Sequence, residues 1–178
     1  MKILIISHHI FPKQTPRAHR TTQLALELAK RNYDVSVYAV LGNYNYDEFS
    51  KENNLKIKHI PLKWESTPNN SDNNISRSFI DKLKVKLLGK IFEYPNIEFL
   101  YRIPGIIKKN EKFDVLISIA NPHQIHWGCS RAKKMFSKKF PKIWIADCGD
   151  PYMHNGKATR HFKIYSYFEK KFCSLCNY

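Results

Sequence analysis

The sequence predicts an α/β protein, a parallel β-sheet with helices on both of its faces. Two kinds of apolar run alternate along the chain: short runs that alternate or are continuous, and longer runs with apolar residues at helical spacing. The short runs are rich in Val and Ile, which favour strands. Two of them, "FDVLISIA" and "KIWIAD", are almost wholly apolar, the pattern of a parallel strand covered on both faces.

In chain order, "KILII" reads as a first strand over Lys2–Ile6. "RTTQLALELAKRN" predicts a helix over Thr21–Lys30, with Leu24, Leu28 and Thr21 on its apolar face, Ala25 beside them and Asn32 as its stop. "DVSVYAV" alternates Val35, Val37 and Ala39 against Ser36 and Tyr38, as a strand does. "LKIKHIPL" alternates again, with Leu55, Ile57 and Ile60 on the apolar side. The polar, Asn-rich run Lys63–Ser76 predicts a loop. Helices are predicted over Ser78–Phe92, Ile97–Lys109, His126–Phe140 and His161–Tyr178, with the two apolar strands falling between the later ones. Strands alternating with helices in this way predict a Rossmann-like three-layer sandwich.

At 178 residues with 43% apolar content, the chain suits one domain with a full core. Its 30 Lys and Arg against 15 Asp and Glu leave a formal charge of +15. Such a surface favours nucleic acid, an acidic membrane leaflet or a phosphate-bearing substrate. A basic surface with no specific partner would carry the same charge. The N-terminal apolar run Ile3–Ile6 is too short for a signal peptide, so the chain reads as cytoplasmic. Docking at the inner face of the membrane is a further expectation. In "FIDKLKVKLLGKIF", Ile80, Leu83, Leu87 and Ile91 share one face while Lys82, Lys86 and Lys90 line the other. That pattern fits an anionic membrane surface or a helix packed on the domain. Cys129, Cys148, Cys173 and Cys176 lack zinc-site spacing and read as reduced thiols, with no metal expected. "FKIYSYFEKKFCSLCNY" stops in mid pattern, with Ile164, Tyr167, Phe168, Phe172 and Leu175 still needing a surface to cover. The expectation is therefore a domain, residues 1–178, of a longer chain.

In open α/β sheets ligands bind at the carboxyl ends of the strands, where strand order reverses. Three segments are expected there. "SHHIFPKQTPRAHRTT" has no glycine, which excludes the phosphate cradle of a dinucleotide-dependent oxidoreductase. It offers instead Arg17, His19 and Arg20 at a helix start, suited to an anion, although a solvated basic loop would look the same. "SIANPHQIHWG" makes a turn at Asn121-Pro122 and opens a helix with His123 and His126. A helix N-terminus opposes the charged imidazole, so His126 should be neutral and able to meet a sugar hydroxyl or act as a base. A structural cap is the plainer alternative. "IADCGDPY" sets Asp147 and Asp150 across a turn at Gly149, where they can orient hydroxyls, accept a proton or cap their own turn.

Taken in order, "MKILIISHHIFP", "QLALELAKRNYDVSVYA", "FDVLISIANPHQIHWG" and "IWIADCGDPY" resemble the N-terminal half of bacterial GT-B glycosyltransferases of family 4. The likeness covers nearly the whole chain and is strongest over 1–40 and 113–152. It departs from the family at Lys13-Gln14-Thr15, where many relatives have glycines, and at Gly149, where several have arginine. The resemblance implies one half of a two-domain architecture, with this half on the acceptor side and a C-terminal domain holding the nucleotide-sugar donor. It implies sugar transfer to a glycan or lipid-linked acceptor in cell-surface polysaccharide synthesis, metal-independent and with no cofactor beyond the donor. Asp150, Asp147 and His126 would then be catalytic, and Arg17, His19, Arg20, Asn121 and His123 would bind substrate. A basic module holding nucleic acid or another anion without catalysis is the alternative, and no nucleic-acid motif supports it.

Overall fold

The computed structural model describes residues 1–62, 95–150, 152–153 and 163–178. Within them the chain runs β1 (Lys2–Ile6), α1 (Pro16–Lys30), β2 (Asp34–Ala39), α2 (Asp47–Glu52), β3 (Leu55–His59), a 3₁₀ turn (Asn96–Glu98), α3 (Phe99–Lys109), β4 (Val115–Ile119), α4 (Gln124–Met135), β5 (Ile143–Asp147) and α5 (Lys163–Leu175). The Lys63–Ser76 loop, the Ser78–Phe92 helix and its lysine-lined face lie outside the described residues.

The five strands form one sheet in the order β3-β2-β1-β4-β5, and every pairing is parallel. Strand geometry sends alternate side chains to opposite faces. Ile3 and Ile5 of β1 enter a core with Ala25, Ala29, Val35, Val37 and Leu55, beneath α1 and α2. Leu4 and Ile6 enter the other, larger core with Phe99, Ile103, Leu116, Trp127, Trp144 and Phe172, beneath α3, α4 and α5. The fold is thus an α/β, Rossmann-like three-layer sandwich.

Several boundaries and faces differ from expectation for physical reasons. Helix α1 begins at Pro16 rather than Thr21, because Thr15 caps it by accepting from the Ala18 N–H at 3.2 Å and Pro16 suits the first helical position. Its buried face is Ala18, Thr21, Thr22, Ala25 and Ala29, while Leu24 and Leu28 are only partly buried at its flanks. The threonine hydroxyls are accommodated by donating to helix carbonyls, Thr21 to Arg17 at 2.9 Å and Thr22 to Ala18 at 2.7 Å. Asn32 does stop the helix: it takes φ +62°, and its N–H and that of Tyr33 return to the Ala29 and Leu28 carbonyls, a Schellman arrangement. Ile60 joins the core opposite to that of Leu55, since an odd separation reverses the face along a strand. Helix α2 has no fully buried residue and was not legible as a helix, being six mostly polar residues long.

The apolar run of β4 is buried throughout, as expected. That of β5 is not, for β5 is an edge strand and Ile143 stays 41% exposed. Helix α4 ends at Met135, short of Phe140, and α5 ends at Leu175 rather than Tyr178. The last residues leave α5 and satisfy the open edge of β5. The Asn177 N–H donates to the Trp144 carbonyl at 2.8 Å, and the Ala146 N–H donates to the Tyr178 carbonyl at 2.8 Å. The face of α5 that packs inward is Tyr165, Phe168, Phe172 and Leu175, whereas Ile164 and Tyr167 are exposed.

Candidate active site

Strand order reverses between β1 and β4: the chain leaves β1 for β2 on one side and returns to β4 on the other. The loops that follow these strands diverge there and leave a crevice. A cleft of about 490 Å³ occupies it, lined by His8 and His9 after β1, by Thr15, Pro16, Arg17 and Arg20 at the start of α1, and by Asn121 after β4.

The loop behind this cleft is held by the same threonines that α1 buries. Thr22 Oγ1 accepts from the Phe11 N–H at 2.9 Å, and Thr21 Oγ1 lies 2.8 Å from Ser7 Oγ. The Tyr46 hydroxyl donates to the Phe11 carbonyl at 2.6 Å, and Phe11 stacks on Phe49 at 4.9 Å. The His8 and His9 rings stack at 3.9 Å. Lys13 Nζ lies 3.1 Å from His9 Nδ1; an ammonium only donates, so Nδ1 accepts and the His9 ring carries its proton on Nε2.

The charge of the cleft comes from two arginines and one carboxylate. Arg20 Nη1 donates to both oxygens of Asp147, at 2.7 and 3.0 Å. Arg17 Nη1 stands 4.0 Å from the same carboxylate. That nitrogen is buried and has no hydrogen-bond partner among the described residues. The Arg17 guanidinium lies against Gly149, where an added Cβ would come within 2.1 Å of Nη2. Gly149 also has φ +68°, so the backbone favours glycine here, and a side chain would push the Arg17 guanidinium aside. At the first turn of α1, Pro16 has no N–H and the Ala18 N–H is capped by Thr15. The arrangement suits a phosphate or carboxylate, which would take up the unused guanidinium donor.

His126 corrects the sequence reading. It was expected to line the cleft and is instead fully buried, beneath it in α4. Burial holds its imidazole down to about 3, with the His123 and Arg17 charges adding to the effect and a hydrogen bond to the Asp147 backbone opposing it. The ring is therefore neutral as expected, but burial is the main cause. Trp144 Nε1–H donates to Ser118 Oγ at 2.8 Å, and Ser118 Oγ lies 2.8 Å from His126 Nδ1. Ser118 Oγ also lies 3.5 Å from the Ile145 carbonyl, and His126 Nε2 lies 3.8 Å from Cys148 Sγ. Burial pushes the Cys148 thiol up to about 11, so it stays protonated at neutral pH.

The remaining candidates separate. Arg17, Arg20 and Asn121 line the cleft, and Asp147 is joined to it through Arg20. His19 is exposed on α1 outside the cleft. His123 is the residue before α4, with its ring 5.3 Å from Tyr152 and 5.8 Å from His126. It is partly buried and is not among the residues lining the cleft. Asp150 is exposed past Gly149, and Pro151 lies outside the described residues. Glu169 of α5 accepts from the Tyr152 N–H at 2.7 Å and from the Met153 N–H, which folds this segment onto α5. Sequence reasoning missed His8, His9 and Thr15 as lining residues. The signal was available, since His8 and His9 follow the first strand and Thr15 precedes the proline that opens α1.

Among the described residues, no group of His, Cys, Asp and Glu could hold a metal ion, and no helix is long and apolar enough to cross a membrane. No protein-family model matches the chain, and no curated protein matches it. Among solved structures, the chain is similar to the C-terminal domain of a hydrogenase from Pyrococcus furiosus, at 11% identity and a TM-score of 0.42, over 82% of this chain and 89% of that one. A similarity of that size carries no argument about function.

Proposed function

We propose that this chain is the acceptor-side domain of a GT-B glycosyltransferase, which transfers a sugar from a nucleotide-sugar donor to a glycan or lipid-linked acceptor. One observation carries the reading: the cleft at the point of strand reversal holds a buried guanidinium nitrogen with no hydrogen-bond partner among the described residues, in a loop that has no glycine cradle. An unpaired buried donor of this kind costs about 1–3 kcal/mol, which an anionic substrate group would offset. In this reading Arg17 holds that group, Asn121 meets a neighbouring hydroxyl, and Asp147, oriented by Arg20, accepts a hydrogen bond from the acceptor sugar. Asp150, exposed past Gly149, would face the donor-side domain and accept the proton of the attacking hydroxyl. His126 supports the Asp147 backbone from below and does not touch substrate. A docking role at an anionic membrane is compatible with the +15 charge.

The test is transfer by the complete gene product from radiolabelled nucleotide sugars. Arg17→Ala should raise KM for the acceptor about tenfold with kcat little changed, and Asp150→Asn should lower kcat strongly. If no nucleotide sugar is consumed while the protein binds DNA or RNA with steep salt dependence, the anion-binding alternative replaces this reading.

A further inference from the structure

A second pocket, of about 370 Å³, lies between α3 and the β2–β3 side of the sheet and shares no residue with the cleft. Its apolar lining is Pro61, Ile106 and the Tyr38 ring. The polar groups of its wall divide into spent and unspent ones. The Tyr38 hydroxyl donates to Asn110 Oδ1 at 2.8 Å, Lys58 Nζ approaches the same oxygen at 3.4 Å, and Asn110 Nδ2 donates to the Ile106 carbonyl at 2.8 Å. Asn110 is therefore satisfied and braces the wall. His59 Nδ1 accepts from the Leu41 N–H at 3.1 Å, which places the proton of the neutral ring on Nε2. Besides the Tyr101 hydroxyl, which can donate or accept, the side-chain groups of the lining left to meet a ligand are donors: His59 Nε2–H, Lys109, and the Arg102 N–H groups not turned to Glu98, with which Arg102 pairs at 3.7 Å.

Gly105 makes the same point from the backbone. It lines the pocket from inside α3, where glycine costs about 1 kcal/mol relative to alanine. Its φ is not in the left-handed region, and a Cβ built on it would have nothing within 4 Å. Neither conformation nor packing asks for glycine. What its missing side chain provides is open volume between an apolar wall and a set of donors.

We propose that this pocket is a second ligand site, for a ring of monosaccharide size that carries a carboxylate or a phosphate. The apolar wall covers one face of the ring, and His59, Arg102 and Lys109 take the acid group. The site stands apart from the proposed transfer chemistry and does not depend on it.

Calorimetric titration with glucuronate and with glucose 1-phosphate tests this, with glucose and inorganic phosphate as controls. At least one acid should bind about tenfold more tightly than both controls, and which acid does so tells carboxylate from phosphate. Gly105→Leu, which fills the open volume, should weaken that binding at least about tenfold while leaving the melting temperature unchanged or raised. Lys109→Gln should weaken it about threefold at low salt. Arg17→Ala, in the other cleft, should leave it unaltered. Acids that bind no better than the controls would overturn the proposal. So would binding that survives Gly105→Leu or disappears with Arg17→Ala.

Discussion

Acidification probes the buried imidazole of His126 directly. In an unfolded chain a histidine takes up a proton near pH 6.5, whereas in the fold burial holds His126 down to about 3. Between these values the unfolded state binds one proton more than the native state, so stability is present in full above the unfolded value and falls as pH falls. The slope is about 1.4 kcal/mol per pH unit, and over about two units below the unfolded value the loss reaches about 3 kcal/mol. For a domain whose whole stability is of order 5–15 kcal/mol, that loss is large. The assay is urea unfolding at stepped pH, for the wild type and for His126→Leu. The variant leaves Ser118 Oγ without its imidazole partner and should lose about 1–3 kcal/mol at neutral pH. Its acid slope should be flatter by close to one proton, so the two proteins converge in stability as pH drops. Carboxylate titrations act on both alike and cancel in the comparison. Equal slopes, or a folded-state NMR titration of His126 near pH 6.5, would refute the reasoning.

Gly149→Ala should cost about 1–2 kcal/mol from its left-handed backbone alone and more from displacing Arg17, while in an Arg17→Ala background only the backbone part should remain. Denaturant melts of the double-mutant cycle check this, and an equal cost in both backgrounds contradicts the contact. Glu169→Ala removes the acceptor of the Tyr152 and Met153 N–H groups and should lower stability by about 1–3 kcal/mol. Hydrogen exchange at those two amides should speed up, and unchanged exchange counts against the role given to Glu169. Thr15→Ala removes the cap of α1 and should cost about 1 kcal/mol, with faster exchange confined to the first turn, the turn that carries Arg17.

The layer order and the strands were legible in the sequence because they depend on local patterns. Short, β-branched apolar runs such as "VLISI" fit strands covered on both faces, and Asn32 can adopt the left-handed conformation that ends a helix. The carboxyl-end rule then brought Arg17, Arg20, Asn121 and Asp147 to one region, since parallel strands all point the same way.

What periodicity could not supply is how far each element reaches and which neighbour it meets. The start of α1 depends on a hydroxyl cap at Thr15, and its buried face on how closely alanines and threonines let the helix approach the sheet. Nothing in "NPHQIHWG" tells that His126 turns inward to Ser118 while Asn121 faces the cleft, because that depends on where β5 and α5 pack. Arg17 and Gly149 are far apart in sequence, and their contact exists only once α1 and the end of β5 share an edge. Composition and local spacing determined that this chain forms a parallel α/β sandwich with arginines near a strand end. The long-range packing of side chains, which no local pattern encodes, decided which of its polar groups face the cleft and which are sealed beneath it.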